Sequence, residues 1–356
     1  SPGYADTNPT PLCPPAIRTH HTMTHIAKPA AGRNADSLPL PEGIAPLRVR
    51  WDQLGAIALV HLLALPVLLP AMFSWPAVIA CIVCTPLFGI LGINLCYHRL
   101  LTHRSLRVPR WLEYTFVTIA LCSLEGTPVS WVATHRRHHS HTDRRPDPHS
   151  PLVTFFWAHM GWLIYRNPGM RTREVYAKYA RDLLGDPFYY WIEKHPLSMV
   201  IIYLLQLGAF FGVTWGLALA VGHSMDQALT LGLSVCVWAV FLRTVLVWHI
   251  TWSVNSLTHL FGYQNFETGE NSRNNWLVGL IAMGEGWHNN HHHDAASATV
   301  QMRWWEIDLT YYVIKLLQWV GLATDVVQPR AKRLAQHAPA KAAAPPTVGK
   351  TVSQAK

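Results

Sequence analysis

Four apolar stretches constrain this chain more than any other feature of its sequence. Each reaches the roughly 20 residues that an α-helix needs to cross the hydrocarbon core of a bilayer. The stretches run over residues 54–73, 77–97, 197–221 and 228–249. The connectors within each pair, Ser74–Pro76 and His223–Gln227, allow little more than a tight turn. The sequence therefore predicts an all-α membrane protein with four transmembrane helices in two hairpins and a helical cap at one end.

The distribution of basic residues indicates the orientation of these helices. The chain has 29 Lys and Arg residues and a net charge of +9. Five of them precede the first stretch, fourteen lie between the hairpins, nine follow the last stretch, and only Arg243 lies inside one. This asymmetry predicts that both termini and the middle segment face the cytoplasm, and we expect the inner membrane of a bacterium. The charge then indicates contact with an anionic lipid surface and not with nucleic acid.

Composition divides the chain into three parts. Residues 1–50 are rich in Pro, Ala and Thr, and residues 328–356 form a tail rich in Ala, Pro and Lys. Segments that bury little apolar surface stay disordered, so we predict disorder at both ends and one membrane domain over 51–327. Inside this domain, the apolar stretch 114–132 carries Glu125, Gly126 and Pro128. We predict that it forms an interfacial or internal helix and not a fifth span.

Eight histidines fall in three short clusters on the predicted cytoplasmic side. The clusters are His98 with His103, then His135, His138 and His139, then His288, His291 and His292. In a helix, residues i, i+3 and i+4 share one face, so each HxxHH run can aim three imidazoles at one place. Adjacent members diverge by about 100° and could serve two different metals. His98 and His103 are five residues apart, so we expect a helix end or a bend between them.

This pattern points to a site for two metal ions. Neutral imidazole suits iron, copper, zinc and nickel, and eight such ligands are too many for one ion. Zinc does not change its oxidation state, so a pair of redox metals beside a bilayer would favour oxygen chemistry on a lipid. A metal transporter or sensor is a remote alternative, because transporter sites lie near the midplane of the membrane. The HExxH motif of zinc proteases is absent from the sequence.

From about residue 66 to residue 325, the chain resembles the integral-membrane fatty acyl desaturases of the stearoyl-CoA type. The best-matching segments are GINLCYHRLLTHRS (92–105), HRRHHSHTDRRPDPHS (135–150), WSVNSLTHLFGYQNFETGENSRNN (252–275) and GEGWHNNHHH (284–293). The resemblance implies an oxidoreductase that uses two iron ions and O2 to place a cis double bond, at the Δ9 position, in a long saturated acyl chain. A fatty acid or lipid hydroxylase on the same scaffold is the alternative function.

The resemblance also implies roles for four further residues. Asn255 and His259 stand in an NSxxH run, so His259 would be a ninth ligand and Asn255 would hold a metal through water. The two residues are four apart and would share one face of a helix. Trp131 and Thr251 match residues that line the bend of the acyl tunnel. No catalytic residue beyond the metal ligands is implied.

Two features of the sequence bear on the substrate and the electron donor: a difference from the animal enzymes, and the absence of electron-transfer motifs. Animal acyl-CoA enzymes carry an Arg-Asp pair where this chain has Ala133-Thr134. Acyl-CoA, an acyl-lipid and an acyl carrier protein thioester therefore all stay open as the substrate. The sequence contains no cytochrome b5-like segment, flavin motif or iron–sulfur cysteine pattern. We expect a separate electron donor, such as an acidic ferredoxin or rubredoxin with its reductase, on the basic cytoplasmic face.

Overall fold

A computed structural model of the chain describes residues 37–337, which contain helices and no β-strand. The α-helices are α1 (Trp51–Ala64), α2 (Trp75–Phe88), α3 (Arg110–Leu121), α4 (Pro128–His141), α5 (Trp162–Ile164), α6 (Arg173–Tyr179), α7 (Arg181–Leu184), α8 (Pro187–Lys194), α9 (Leu197–Ala220), α10 (Met225–Val235), α11 (Arg243–Leu257), α12 (Trp276–Ile281), α13 (His288–His293), α14 (Leu309–Trp319) and α15 (Arg330–His337). Short 3-10 turns cover Leu65–Leu68 and Pro70–Met72, and π-helical segments cover Gly89–Thr102, Trp157–Gly161 and Cys236–Leu242. The predicted all-α class is confirmed.

Four continuous helices are long and apolar enough to cross a membrane, as predicted. They are Trp51–Leu68, Trp75–Thr102, Leu197–Ala220 and Met225–Leu257. The second and fourth continue past the predicted ends at residues 97 and 249. In their most apolar windows, 33% and 56% of the residues are buried, against 17% in the other two spans. The second and fourth spans are therefore packed against protein to a greater extent than the first and third.

The apolar stretch 114–132 forms two helices and not the single helix expected. The chain turns between α3 and α4, where Leu124 and Gly126 have φ values of 55° and 113°. Thr127 then caps α4 by accepting a hydrogen bond from the backbone N–H of Ser130 at 3.2 Å, with Pro128 at the first helical position. At 12 residues, α3 is too short to cross a bilayer, in line with the prediction that this stretch is not a fifth span.

Arg243, the one basic residue inside the four apolar stretches predicted from the sequence, is fully buried and does not reach the lipid interface. Its guanidinium donates hydrogen bonds to the carbonyl oxygen of Cys122 at 3.1 Å, to Ser123 Oγ at 3.3 Å and to Gln206 Oε1 at 2.8 Å. It also lies 4.1 Å above the ring of Phe88. A cation at the carboxyl end of a helix is favourable, so Arg243 fixes the end of α3 against the spans.

Some residues in the predicted disordered ends make defined contacts. Near the start, Arg50 N–H donates to the carbonyl of Ile164 and Arg166 N–H donates to that of Arg48, both at 2.8 Å. Near the end, α15 is held by an ion pair of 2.8 Å between Arg333 and Asp294. The rest of the predicted disordered ends, residues 1–36 and 338–356, lies outside the described residues.

The π-helical segment after α2 packs closely on α3 at Gly92. A Cβ atom at Gly92 would lie 2.8 Å from the Cα of Ala120 and 3.0 Å from its nitrogen. We expect Gly92→Ala to push α3 away and to destabilise the fold by about 1–3 kcal/mol, measured as a lower thermal midpoint in lipid nanodiscs. Gly89→Ala in the same segment is the control, since nothing lies within 4 Å of its Cβ. Equal midpoints would contradict this close packing.

Candidate metal centre

Nine histidines meet in two groups at the ends of the second and fourth spans. The first group contains His98, His103, His135, His139 and His291. The second group contains His138, His259, His288 and His292. Within each group, the ligand nitrogens all lie within 4.8 Å of one another. The structure thus brings together all nine histidines that the sequence and its resemblance singled out.

Adjacent histidines belong to different groups. On α4, His138 joins the second group while His139 joins the first, and on α13 His291 and His292 divide in the same way. The rotation of about 100° between neighbouring residues of a helix accounts for this division. Each HxxHH run therefore contributes to both groups, so that α4 and α13 together hold the two sites side by side.

A π-helical winding that ends at Thr102 brings His98 and His103 together, and the predicted helix end therefore lies between them. The backbone N–H of His103 donates to the carbonyl oxygen of His98 at 3.1 Å, which is an i to i+5 bond. That bonding pattern places residues five apart on the same side of the helix. Their ring centroids are 4.8 Å apart. The wider turn at the end of the second span thus allows two histidines in an HxxxxH spacing to join the same group.

His259 and Asn255 do not share a helix, in contrast to the expectation from their spacing. Helix α11 ends at Leu257, and His259 lies in the turn that follows. This turn directs His259 into the second group, where its Nε2 lies 3.1 Å from Nε2 of His288. Asn255 stays on α11 and lines a cavity beside His135.

The ring nitrogens converge too closely for hydrogen bonding alone. Nε2 of His291 lies 3.1 Å from that of His98 and 2.9 Å from that of His139. A ring nitrogen carries either one proton or one lone pair and cannot satisfy two such neighbours. In the second group, neighbouring Nε2 atoms are 3.0–3.3 Å apart. Ligands at right angles on a metal with bonds of about 2.1 Å would be about 3.0 Å apart, so each group fits one metal ion.

Burial keeps most of these rings neutral, as metal binding requires. It lowers the pKa of His139 to about 3. Burial, followed by the charge of neighbouring histidines, holds the pKa of six others well below its ordinary value: His103, His135, His138, His288, His291 and His292. His259 differs: burial lowers its pKa, but the hydrogen bond to Asp143 and the negative charges of Asp143, Glu270 and Asp147 together outweigh burial and raise the pKa. The buried Nε2 of His103 has no hydrogen-bond partner among the described residues, which also suits a ligand.

Four carboxylates approach the Nδ1 side of the histidines. The contacts are Glu285 to His98 at 2.9 Å, Asp147 to His138 at 3.0 Å, Asp143 to His259 at 3.1 Å and Glu270 to His292 at 3.7 Å. Such partners fix the orientation of a ligand ring and direct its other nitrogen towards the metal. Sequence reasoning did not find these acids. The sequence could have indicated three of them by their closeness to the histidine clusters, since Asp143 and Asp147 closely follow the second cluster and Glu285 precedes the third.

Glu285 is itself held by a buried arginine. Arg99, which is 2% exposed, lies 2.8 Å from Glu285 and 2.9 Å from Asp308. Burial alone would raise the pKa of Glu285, but the charges of Arg99 and His98 lower it to about 2. The carboxylate is therefore ionised and fixed, and it ties the end of the second span to the segment before α13.

Three nearby histidines lie outside the two principal groups. His149 stacks on His138 with ring centroids 4.4 Å apart, and it forms a smaller cluster with His138 and Asp147. The ring of His293 stacks on Phe266 at 3.7 Å. His141 Nε2 lies 3.2 Å from the hydroxyl of Tyr179. His149 therefore buttresses a ligand, while His141 and His293 interact with aromatic side chains away from the centre.

A cavity of about 430 Å³ reaches the first group at His135. Trp131 and Thr251 both line this cavity, where the sequence predicted a tunnel wall. Trp131 stacks on the ring of His135 with centroids 5.1 Å apart. The lining combines polar side chains, among them Arg50, Asp52, Arg171 and Glu193, with apolar ones, among them Ile57, Leu163, Met199 and Trp248. The cavity therefore offers both polar and apolar contacts beside the histidine centre.

Glu125 joins the two predicted tunnel residues. Its carboxylate accepts a hydrogen bond from Trp131 Nε1–H at 3.2 Å and another from the Thr251 hydroxyl at 2.8 Å. Burial raises the pKa of Glu125 to about 7, although both hydrogen bonds favour the charged form. Glu125 thus fixes the two walls of the cavity relative to each other, a role that the sequence did not reveal.

Comparisons with known proteins agree with this geometry. A profile of the fatty acid desaturase family matches residues 73–319. The chain is 42% identical over 282 residues to an sn-1 stearoyl-lipid 9-desaturase of Anabaena variabilis, covering 78% of this chain and 94% of that protein. It is 41% identical over 281 residues to an sn-2 palmitoyl-lipid 9-desaturase of a Nostoc species, covering 79% and 91%. An acyl-CoA C20 Δ5-desaturase of Anemone leveillei is 38% identical over 260 residues, covering 73% and 77%.

An all-helical membrane fold with clustered histidines beside a cavity defines a membrane oxidoreductase. The chain belongs to the fatty acid desaturase family, and it is an enzyme that desaturates fatty acyl chains.

The division of adjacent histidines can be tested on α13. We expect the purified wild-type protein to hold two metal ions per chain, and His292→Ala to lower the content to about one because the second group loses a ligand. His293→Ala is the matched control, since His293 lies in neither group. Elemental analysis gives the metal content directly. The same loss in both variants would show that the effect is unspecific.

The ionisation of Glu125 predicts a pH-dependent difference in stability. The folded protein holds its proton up to a pH of about 7, whereas an unfolded Glu loses it at a pH of about 4.3. Stability is therefore lost as the pH rises between these values, and Glu125→Gln avoids that loss. We expect the two proteins to match at pH 4.5 and the variant to be more stable by roughly 1–3 kcal/mol at pH 8. Thermal midpoints measured across this range would show a constant difference if Glu125 titrated normally.

Proposed function

We propose that this desaturase introduces a cis double bond at position 9 of a long saturated acyl chain, using two iron ions, O2 and electrons from a separate protein. The observation that carries the proposal is the contact between the cavity and the first histidine group at His135, between Trp131 and Thr251. The names of the Anabaena and Nostoc relatives, both 9-desaturases, support this position of the double bond.

The nine clustered histidines would hold the two iron ions. Five ring nitrogens would serve the first ion and four the second, since the histidines lie in groups of five and four, and Asn255 would complete the second through a water molecule. When bound, the iron ions supply the redox chemistry by which O2 and two electrons remove two hydrogens from unactivated methylenes. The reaction also consumes two protons, so that the saturated chain and O2 give the alkene and two molecules of water. Zinc would fit the same nitrogens but has no such redox chemistry.

The protein orients the substrate and excludes water from it. Trp131 presents an apolar ring to the cavity and, by stacking on His135, sets the distance between the acyl chain and the centre. Thr251 lines this cavity and also a second one of about 20 Å³ beyond it. Because Glu125 fixes both side chains, an acyl chain that passes between them would be held at one carbon pair, as regiospecific chemistry requires.

We propose an acyl-lipid as the principal substrate. Arg50 and Asp52 line the cavity at the start of the first span, where lipid headgroups would lie. The Anabaena and Nostoc relatives are named for lipid-bound acyl chains, whereas the Anemone relative is named for acyl-CoA. The lack of an Arg-Asp pair at Ala133-Thr134 favours the lipid. Assays with stearoyl-lipid, stearoyl-CoA and stearoyl-acyl carrier protein would identify the substrate, and we expect the lipid to be turned over fastest. Preferential turnover of either thioester would contradict this proposal.

We also propose that the histidine centre and both termini face the cytoplasm of a bacterium, in its inner membrane. The short connectors within the hairpins contain no basic residue, while 28 of the 29 basic residues lie on the other side. Labelling of a cysteine introduced at His223, in the second connector, should require a reagent that reaches the periplasm. Modification only from the cytoplasmic side would reverse the orientation.

The electron donor would be an acidic ferredoxin or rubredoxin with its reductase. Arg144 and Arg145 are exposed and directly follow Asp143, whose carboxylate contacts His259. Arg144 therefore places positive charge at the surface close to the second group, while Arg145 pairs with Glu42 at 3.1 Å. We expect reduction by an acidic donor to slow several-fold between 50 and 500 mM salt, since surface charges are screened over about 10 Å at 0.1 M. Reduction that is insensitive to salt would argue against this docking site.

Expression in a bacterium without unsaturases tests the reaction itself. Given iron and a competent donor, we expect new Δ9 monounsaturated chains in gas chromatography with localisation of the double bond, and none with His138→Ala. A hydroxylated chain would indicate the hydroxylase alternative, and a double bond elsewhere would correct the position.

A further inference from the structure

Helix α12 places its side chains in two environments. Val278 and Gly279 are buried, and a Cβ atom on Gly279 would lie 2.8 Å from the indole ring of Trp287. The other four side chains are exposed by 37–68%, although all of them are large and apolar: Trp276, Leu277, Leu280 and Ile281. A continuous apolar surface of this kind marks a contact with another protein or with a membrane.

The carboxyl end of α12 lies against the second and fourth membrane spans. Three residues at this end, 281–283, line the cavity of about 20 Å³. The lining of that cavity also includes residues from both spans: Thr85, Pro86, Gly89, Val247 and Ile250. Gly89 lies 14 positions after the start of the second span at Trp75, or about 21 Å along the helix axis. Helix α12 therefore reaches the second span near the middle of its 28 residues.

The first span indicates a similar depth. Nε2 of His61 lies 3.2 Å from Nε2 of His249, which stands between two residues that line the cavity, Val247 and Ile250. His61 is ten residues, or about 15 Å, inside the first span when counted from Trp51. The cavity at the end of α12 is therefore level with the interior of the first span and not with its end.

Both ends of α12 have hydrogen-bond partners within the protein. The side chain of Asn275 accepts hydrogen bonds from two backbone N–H groups of the first turn, each at 3.1 Å. At the other end, the Asn94 amide donates to the carbonyl oxygen of Ala282 at 3.0 Å. The backbone N–H and the hydroxyl of Thr310 donate to the carbonyl oxygen of Met283 at 3.2 and 3.1 Å. A helix that ends inside a bilayer needs such partners, because lipid provides none.

Lipid is the occupant that fits the exposed face of α12. Residues 274–284 contain no charged side chain. Trp276 stands at the start of the helix, and an indole ring suits the boundary between lipid and water. Leu87, in the part of the second span that borders the cavity, is also exposed and apolar. Lipid-facing surface of the second span therefore lies beside α12.

We propose that α12 is a re-entrant helix, which enters the leaflet nearer the histidine centre without crossing it, and whose four exposed side chains contact lipid acyl chains there. This inference goes beyond the desaturation reaction and holds for any acyl carrier.

The bilayer then helps to position the third histidine cluster. α12 is closely followed by Glu285, which contacts His98 at 2.9 Å, and by His288 at the start of α13. The close approach of Gly279 to Trp287 joins the inserted helix to this segment. Lipid on the outer face of α12 therefore holds the segment against the spans from the outside.

Photo-crosslinking from the exposed face identifies what covers it. In the full chain, p-benzoylphenylalanine would replace Leu280, Ile201 or Leu334, one at a time, and each protein would be irradiated in vesicles of phosphatidylcholine and phosphatidylglycerol. Ile201 is exposed in the third span and is the lipid-facing reference. Leu334 on α15 is the control, because an ion pair with Asp294, beyond the third cluster, holds that helix.

We expect mass spectrometry to find lipid adducts at Leu280 as often as at Ile201, and several-fold more often than at Leu334. Adducts at Leu280 that are as rare as those at Leu334 would overturn the proposal. A cross-linked dimer without lipid adducts would also overturn it, because a second copy of the chain would then cover the face.

Thermal stability in the same vesicles gives an independent readout. Leu280→Asp should lower the midpoint by several degrees, since a carboxylate among acyl chains is costly. Leu334→Asp is the matched control, because Leu280 and Leu334 are 61% and 62% exposed, and it should leave the midpoint at the wild-type value. If α12 faced water, the protein would tolerate both substitutions alike, and equal midpoints would contradict the contact with lipid.

Discussion

The convergence of nine imidazoles from four separate chain segments is the constraint on which the rest of the structure depends. Ring nitrogens about 3 Å apart, on rings that burial keeps neutral, cannot satisfy one another by hydrogen bonds. They stay in place because each segment is anchored on its other side. Glu285, Asp143 and Asp147 hold individual rings by Nδ1, so that the Nε2 atoms point inwards before any ligand arrives.

The helix that carries the third histidine cluster is held in place by hydrogen bonds from its own asparagines. Helix α13 has six residues, too few to be stable by itself. The two asparagines inside its HNNHH run are fully buried and face away from the metal groups. Asn290 donates to Glu306 at 2.8 Å and to the carbonyl of Val300 at 2.9 Å, while Asn289 donates to that of Phe266 at 2.9 Å. The spacer residues of the motif therefore fasten the helix whose histidines form the site.

The membrane spans serve the site as well as the bilayer. The second span ends in a π-helical segment that aligns His98 with His103, and the fourth ends two residues before His259. Arg243 and Gln206 link the end of α3 to the fourth and third spans, which sets the start of α4 and hence the second cluster. A contact of 3.2 Å between Nε2 of His61 and Nε2 of His249 adds a further link between the first span and α11. The centre is thus built on helix ends that are held by contacts with other parts of the protein.

The sequence by itself determined the features that depend on local pattern. Runs of apolar residues specified four spans, and the spacing of HxxHH specified that neighbouring histidines point to different places. Resemblance added His259. Other features were decided only by the tertiary structure: the π-helical turn between His98 and His103, the end of α11 before His259, and the contact of Glu285 with His98 and Arg99. These depend on groups far apart along the chain, such as Arg99 and Glu285, which are separated by 186 positions. A local period carries no information on such pairs, because packing and burial select them only when the helices have come together.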